Sequence, residues 1–113
     1  MVLHNYTPHP ITLMLDEIGI NTIVIPNDGL ARCDTVEVET APLVLQNGVK
    51  IPTKMKYFGE VKGLPEPQKE VGFIVSMAVA NACPHRHDLY VPGDVLRNTD
   101  GSIIGCRSLW YVG

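Results

Sequence analysis

The run Gly72-Phe73-Ile74-Val75-Ser76-Met77-Ala78-Val79-Ala80-Asn81-Ala82-Cys83-Pro84 switches from strand chemistry to helix chemistry at its middle. Gly72 to Val75 is a short apolar piece with two adjacent β-branched residues, which reads as a compact strand. At Ser76 the pattern changes. Ala78, Ala80 and Ala82 are strong helix formers, Ser76 is a favoured N-cap type, and Pro84 ends the run. A strand leading into one short helix near residues 76–83 is therefore predicted, and no other segment offers a comparable helix.

On both sides the chain is cut into short pieces. Nine prolines and ten glycines are spread along it, a spacing that suits strands and breaks long helices. Upstream, Val2 to Asn5, Ile11 to Leu15 (ended by Asp16-Glu17) and Thr22 to Ile25 read as strands. The last of these stops at the turn Pro26-Asn27-Asp28-Gly29. Leu30 to Thr40 alternates Val36 and Val38 with Glu37 and Glu39, the pattern of a half-buried strand with carboxylates outward. Leu43 to Leu45 and Val49 to Ile51 flank Asn47-Gly48, a hairpin signal, and Thr53 to Lys62 is a further strand. Gly63-Leu64-Pro65-Glu66-Pro67 is a rigid loop. Downstream, Leu89 to Val91 is a short extended piece stopped by Pro92-Gly93. Val95 to Arg97 and Ile103 to Val112 bracket the turn Asn98-Thr99-Asp100-Gly101. The expectation is about seven to nine short strands and one helix. That is a mainly β or α+β single domain over residues 1–113, its sheet mixed or antiparallel and shaped as a partly closed barrel or a sandwich.

A chain of 113 residues buries roughly two-thirds of its unfolded surface, enough for a core without staples. Apolar residues make up 45%, and 9 basic against 12 acidic side chains leave a charge of −3. This excludes intrinsic disorder and argues against a dedicated nucleic-acid coat, which carries a basic excess. No apolar run approaches the roughly 18–20 residues of a membrane span, and Met1 to Tyr6 lacks the basic-then-apolar pattern of a secretory leader. Cys33, Cys83 and Cys106 are odd in number and far apart, with no Cys-x-x-Cys pair. They are expected to be reduced, largely buried thiols in a cytoplasmic protein.

Two polar clusters stand out. The first is Cys83-Pro84-His85-Arg86-His87-Asp88, just after the helix. Cys83, His85 and His87 have the chemistry of metal ligands, but standard zinc spacing is missing and a fourth ligand would have to be His4 or His9 from elsewhere. Arg86 and the imidazoles have the chemistry of an anion site, a guanidinium forking onto phosphate or carboxylate. The plain alternative is an Arg86–Asp88 pair that pins the loop, with the histidines in solvent. The second cluster is Asn5-Tyr6-Thr7-Pro8-His9, which offers donors and acceptors on a proline-stiffened segment, or else a turn in which Asn5 and Thr7 satisfy the backbone locally.

Ser76 opens a helix after a strand, as a nucleophile on a sharp turn would, yet Gly-x-Ser-x-Gly is absent and capping accounts for it. Free N–H groups at the same helix start also favour an anion. Neither Gly-x-x-x-x-Gly-Lys nor Gly-x-Gly-x-x-Gly occurs. Glu37, Glu39, Glu66 and Glu70 read as surface carboxylates rather than a glycosidic acid pair. Lys50, Lys54, Lys56 and Lys62 beside Tyr57 and Phe58 have some character of a single-strand nucleic-acid platform, against the net negative charge.

The order Asn5-x-Thr7-Pro8-His9, Gly59-Glu60-Val61-x-Gly63-Leu64-Pro65-x-Pro67, Ile74-Val75-Ser76, Pro84-x-Arg86-x-Asp88-Leu89-x-x-Pro92-Gly93 and Asp100-Gly101-x-Ile103-Ile104-Gly105-Cys106 runs the length of the chain. It resembles a family of small uncharacterised bacterial and phage or prophage proteins. The resemblance implies a small cytoplasmic accessory protein and brings no activity with it. Some small phage proteins of this size are oligomeric sponges that sequester nucleotide immune signals, an analogy of size and context only.

The leading expectation is a homo-oligomeric binder of an anionic, nucleotide-derived small molecule, without turnover, metal or cofactor. Asn5, Thr7, His9, Ser76, His85, Arg86 and Asp88 are its candidate ligand contacts, with Arg86 forking onto phosphate, Asp88 orienting it and His85 or His9 donating. One alternative is a metal- or His-dependent phosphodiesterase using His85 or His87 as general acid or base. Another is a structural or protein-interaction component of a phage, with Tyr57, Phe58, Trp110 and Tyr111 as contact aromatics.

Overall fold

The computed structural model describes residues 1–16 and 21–112. The chain is mainly β with one short helix. In order, the elements are β1 (Val2–Asn5), β2 (Ile11–Met14), β3 (Thr22–Ile25), β4 (Arg32–Val44), β5 (Lys50–Lys62), β6 (Val71–Ile74), α1 (Met77–Ala82), β7 (Leu89–Arg97) and β8 (Ile103–Val112). Ser76 caps α1, its Oγ accepting from the Val79 N–H at 3.3 Å.

Six strands form a mixed sheet in the order β1-β6-β7-β8-β2-β3. β1 with β6, β6 with β7 and β2 with β8 are parallel, while β7–β8 and β2–β3 are antiparallel. Parallel neighbours need a crossover, and α1 supplies it between β6 and β7. The two edge strands come together at one end: Asn5 bridges Asn27, just past β3, and Asn5 Nδ2 donates to the Ile25 carbonyl at 3.1 Å. The sheet is thus a partly closed barrel. Ile11, Leu13, Ile74 and Cys106 fill its interior, with Leu3, Ile25, Tyr90 and Leu109 packed against them, so every strand of the sheet contributes.

The outer face of β6 and β7 carries a second cluster. Phe73, Val75, Leu89 and Val91 pack there against Val79, Ala80 and Cys83 of the helical segment. The two-residue period of β6 separates them, Ile74 to one core and Phe73 and Val75 to the other. Phe73, Ile74, Val75, Val79 and Leu89 are at most 1% exposed, and each contributes about 1.5–3 kcal/mol of burial.

β4 and β5 form a separate two-stranded ribbon, each strand 13 residues long. The sequence predicts four shorter pieces here, with breaks near Pro42 and Pro52. Instead, a register shift between Thr40 and Leu43 takes up Ala41 and Pro42, and pairing resumes at Leu43 with Ile51. A ribbon has an unpaired edge on each strand, so a proline nitrogen need not join the ladder. β7 likewise continues through Pro92-Gly93 rather than stopping. Gly93 is needed there because a Cβ would overlap the Trp110 indole on β8. Glu17, part of the expected stop after β2, lies outside the described residues.

The base of the ribbon joins the outer core through Cys33 and Val61, and the rest extends away from it. The molecule measures 60 × 38 × 20 Å with a radius of gyration of 18.5 Å. A compact chain of this length would have about 13 Å. Among the described residues, no helix is long and apolar enough to cross a membrane.

Candidate functional site: the mouth of the barrel

β1 and β6 run parallel and end side by side, where the Tyr6 N–H donates to the Ile74 carbonyl at 2.8 Å. From there one chain turns through Thr7 and His9 into β2, and the other passes through Val75 to Ser76. The first turn is held from below by Asn5, which is fully buried. Its Nδ2 donates to the carbonyls of His9 (2.8 Å) and Ile25 (3.1 Å). Its Oδ1 accepts from the Thr7 N–H (2.9 Å) and from Thr7 Oγ1 (2.6 Å). Asn27 Nδ2 donates to the Thr7 carbonyl. All four hydrogen-bonding positions of the Asn5 amide are therefore used, as burial requires.

Above this pin opens a groove of about 400 Å³. Thr7, His9, Thr12 and Ser76 supply its polar lining, and Ile11, Val95, Ile103 and Ile104 much of its apolar lining. The volume suits a small ligand, and crevices at barrel mouths and beyond the carboxyl ends of parallel strands are common binding positions. His9 is exposed. Ser76 Oγ is occupied as the cap of α1, and no hydrogen bond joins it to a histidine among the described residues.

The second polar cluster sits beside Phe73, on the outer face of β6, just before β7 begins. There the Phe73 N–H donates to the Asp88 carbonyl at 2.9 Å. Arg86 Nε and Nη2 donate to the two Asp88 carboxylate oxygens at 2.8 and 2.7 Å, and Nη2 also reaches the Pro65 carbonyl at 3.0 Å. The guanidinium lies 5.9 Å from the Phe73 ring centroid. The two side chains are only 10% and 14% exposed. Hydrogen bonding with Arg86 holds the Asp88 carboxyl below its ordinary range, and the same bond raises the Arg86 pKa. This is the geometry of a loop pin, a two-pronged pair with a carbonyl and an aromatic face around it.

His85 and His87 are exposed on the same turn, and the His87 carbonyl accepts from the Tyr111 hydroxyl at 2.9 Å. Cys83 belongs to the outer core, where burial pushes its thiol pKa up, and burial does the same to Cys106 inside the barrel. Cys33 is half-buried. Among the described residues, no three His, Cys, Asp or Glu side chains gather as a metal site would need.

The structure thus brings Asn5, Thr7, His9 and Ser76 together and sets His85, Arg86 and Asp88 apart from them. Sequence reasoning missed the apolar half of the groove. Ile103-Ile104 was legible as strand only, because nothing local marks which strand end borders an opening. The lysines of the ribbon do not form a basic track: Lys56 and Lys54 stand opposite Glu37 and Glu39 in the ladder, and Lys62 pairs with Asp34 at 3.2 Å. In comparisons with known proteins, the chain matches no family model, no curated protein and no solved structure.

Proposed function

We propose that the chain binds a nucleotide-derived small molecule in the barrel mouth without turning it over. The observation that carries this reading is the groove of about 400 Å³ with a mixed lining, apolar at Ile11, Val95, Ile103 and Ile104 and polar at Thr7, His9 and Ser76. A flat base would lie against the apolar lining, and the phosphate would face the His9 imidazole and the Ser76 hydroxyl, the Thr7 hydroxyl being already donated to Asn5. Asn5 acts from beneath by fixing the Thr7–His9 turn. Arg86 and Asp88 act on the ligand only through the fold, since the guanidinium is already held by a carboxylate and a carbonyl.

The test is thermal denaturation and native mass spectrometry with AMP, cyclic di-AMP and adenosine as probes. A nucleotide raises the melting temperature of wild type, comes off unchanged in mass after denaturation, and loses its effect in Ile104→Glu and His9→Ala. Ligand at about a hundred times its Kd adds about 2.7 kcal/mol, a shift that melting resolves. No stabilisation by either nucleotide, or the same stabilisation in Ile104→Glu as in wild type, would overturn the site. Recovery of a hydrolysed product would overturn the non-catalytic part and favour the phosphodiesterase reading. The protein-interaction reading rests on a different feature, the exposed apolar ribbon.

A further inference from the structure

We propose that the β4–β5 ribbon is an association arm whose apolar face packs against the same face of a second copy of this chain. The ladder register sorts the arm into two chemically different faces. Val36 pairs with Tyr57, Val38 with Met55 and Thr40 with Thr53 on one; Glu37 pairs with Lys56 and Glu39 with Lys54 on the other. Strand neighbours alternate between faces, so the first face is apolar and uncharged over this stretch. Val36, Val38, Met55 and Tyr57 are nonetheless 37–54% exposed. Beyond them, Leu43, Val44, Leu45, Val49 and Ile51 make an exposed apolar tip. A two-stranded hairpin is marginal in water unless its apolar face is covered, and the barrel covers only the base.

The charge pattern selects the occupant. The apolar face carries no fixed charge, and on the opposite face the glutamates and lysines cancel across the ladder. Nucleic acid, an acidic protein or a charged lipid surface gains nothing from such a stripe. Two copies related by a two-fold axis meet apolar to apolar with no like-charge contact. Area sets the strength. A 13-residue strand is ~43 Å long and a ribbon ~10 Å wide, so one face offers ~400 Å². A stable interface needs about 800 Å² per partner. The face alone supplies about half of that, so the pairing is weak and concentration-dependent. This inference does not depend on the ligand assigned to the barrel mouth.

Sedimentation velocity over a roughly hundredfold concentration range tests it. Wild type is expected at twice the 12.4 kDa chain mass. Val38→Glu/Met55→Glu, which puts carboxylates on the apolar face, is expected at the single-chain mass with unchanged Trp110 fluorescence. Glu37→Ala/Lys56→Ala, on the other face, is expected to stay paired. A wild type that remains at the single-chain mass throughout overturns the proposal, and so does flotation with anionic vesicles in place of pairing. Pairing that survives Val38→Glu/Met55→Glu, or is lost in Glu37→Ala/Lys56→Ala, overturns the choice of face. Should the carboxylate variant unfold, hydrogen exchange of wild type decides: protection of the amides from Val36 to Thr40 must fall on dilution, and exchange independent of concentration rejects the arm.

Discussion

Asn5 and Asp88 show how much one polar side chain fixes when it is buried with its partners. Replacing Asn5 by Ala leaves the His9 and Ile25 carbonyls and the Thr7 N–H without their partner. Unsatisfied buried groups cost about 1–3 kcal/mol each, partly relieved by water, so a loss of about 2–4 kcal/mol in urea unfolding is expected. A loss below about 1 kcal/mol would mean the turn does not hang on this amide. Asp88 adds a pH dependence whose sign is fixed. Its folded pKa lies below the unfolded value of about 3.9, so its stabilisation is complete above that value and disappears as pH falls through the lowered folded value. Asp88→Asn should cost about 2–3 kcal/mol at neutral pH. It should also flatten the acid side of the stability curve, and identical slopes for variant and wild type below about pH 4 would contradict the assignment. Both pins were legible beforehand as spacing-two chemistry, Asn5 with Thr7 and Arg86 with Asp88, because each partner lies in the same local segment.

At the scale of elements, turns and glycines divide into those that serve packing and those that serve only the backbone. Gly63 has φ +88° at the end of β5, and a Cβ there would overlap the Leu30 carbonyl oxygen. Gly48 has φ +85° at the arm tip with open space around it. Ala at Gly48 should therefore cost only the left-handed penalty of about 1–2 kcal/mol, while Ala at Gly63 adds a backbone clash and should cost clearly more. Equal midpoint shifts for the two variants in urea melts would refute the distinction. The limits of β1, β3 and β8 agree with the sequence expectation, since each is a β-branched or apolar run with a turn signal at one of its ends. β4, β5 and β7 run past theirs. Proline and glycine punctuate a chain only where the neighbouring strand needs the missing N–H or the missing side chain, and that neighbour is not visible locally.

For the whole molecule, the arm and the barrel differ in what stabilises them. The barrel holds its fully buried side chains in two clusters, one on each face of β6. On the proposed pairing, the arm gains its stability from association. The unfolding midpoint of wild type should therefore rise with protein concentration, as linkage to pairing demands, while that of Val38→Glu/Met55→Glu should not. A concentration-independent midpoint for both would leave the arm as an unaided hairpin.

The β-rich class, the single helix at 76–83, the Asn47-Gly48 hairpin and the two local polar pins were all set by near-neighbour chemistry, which period, caps and turn residues report directly. Other features were settled only in three dimensions. The carboxyl ends of β1 and β6 meet to make a mouth, Ile103 and Ile104 arrive there from the far end of the chain, and the Arg86 turn is carried to the outer face beside Phe73. The ladder register also turns four apparent strand fragments into one arm with an uncharged face. Each depends on strand order and pairing between residues far apart in sequence, and in a β-sheet such pairing is specified by the assembled core rather than by any one segment.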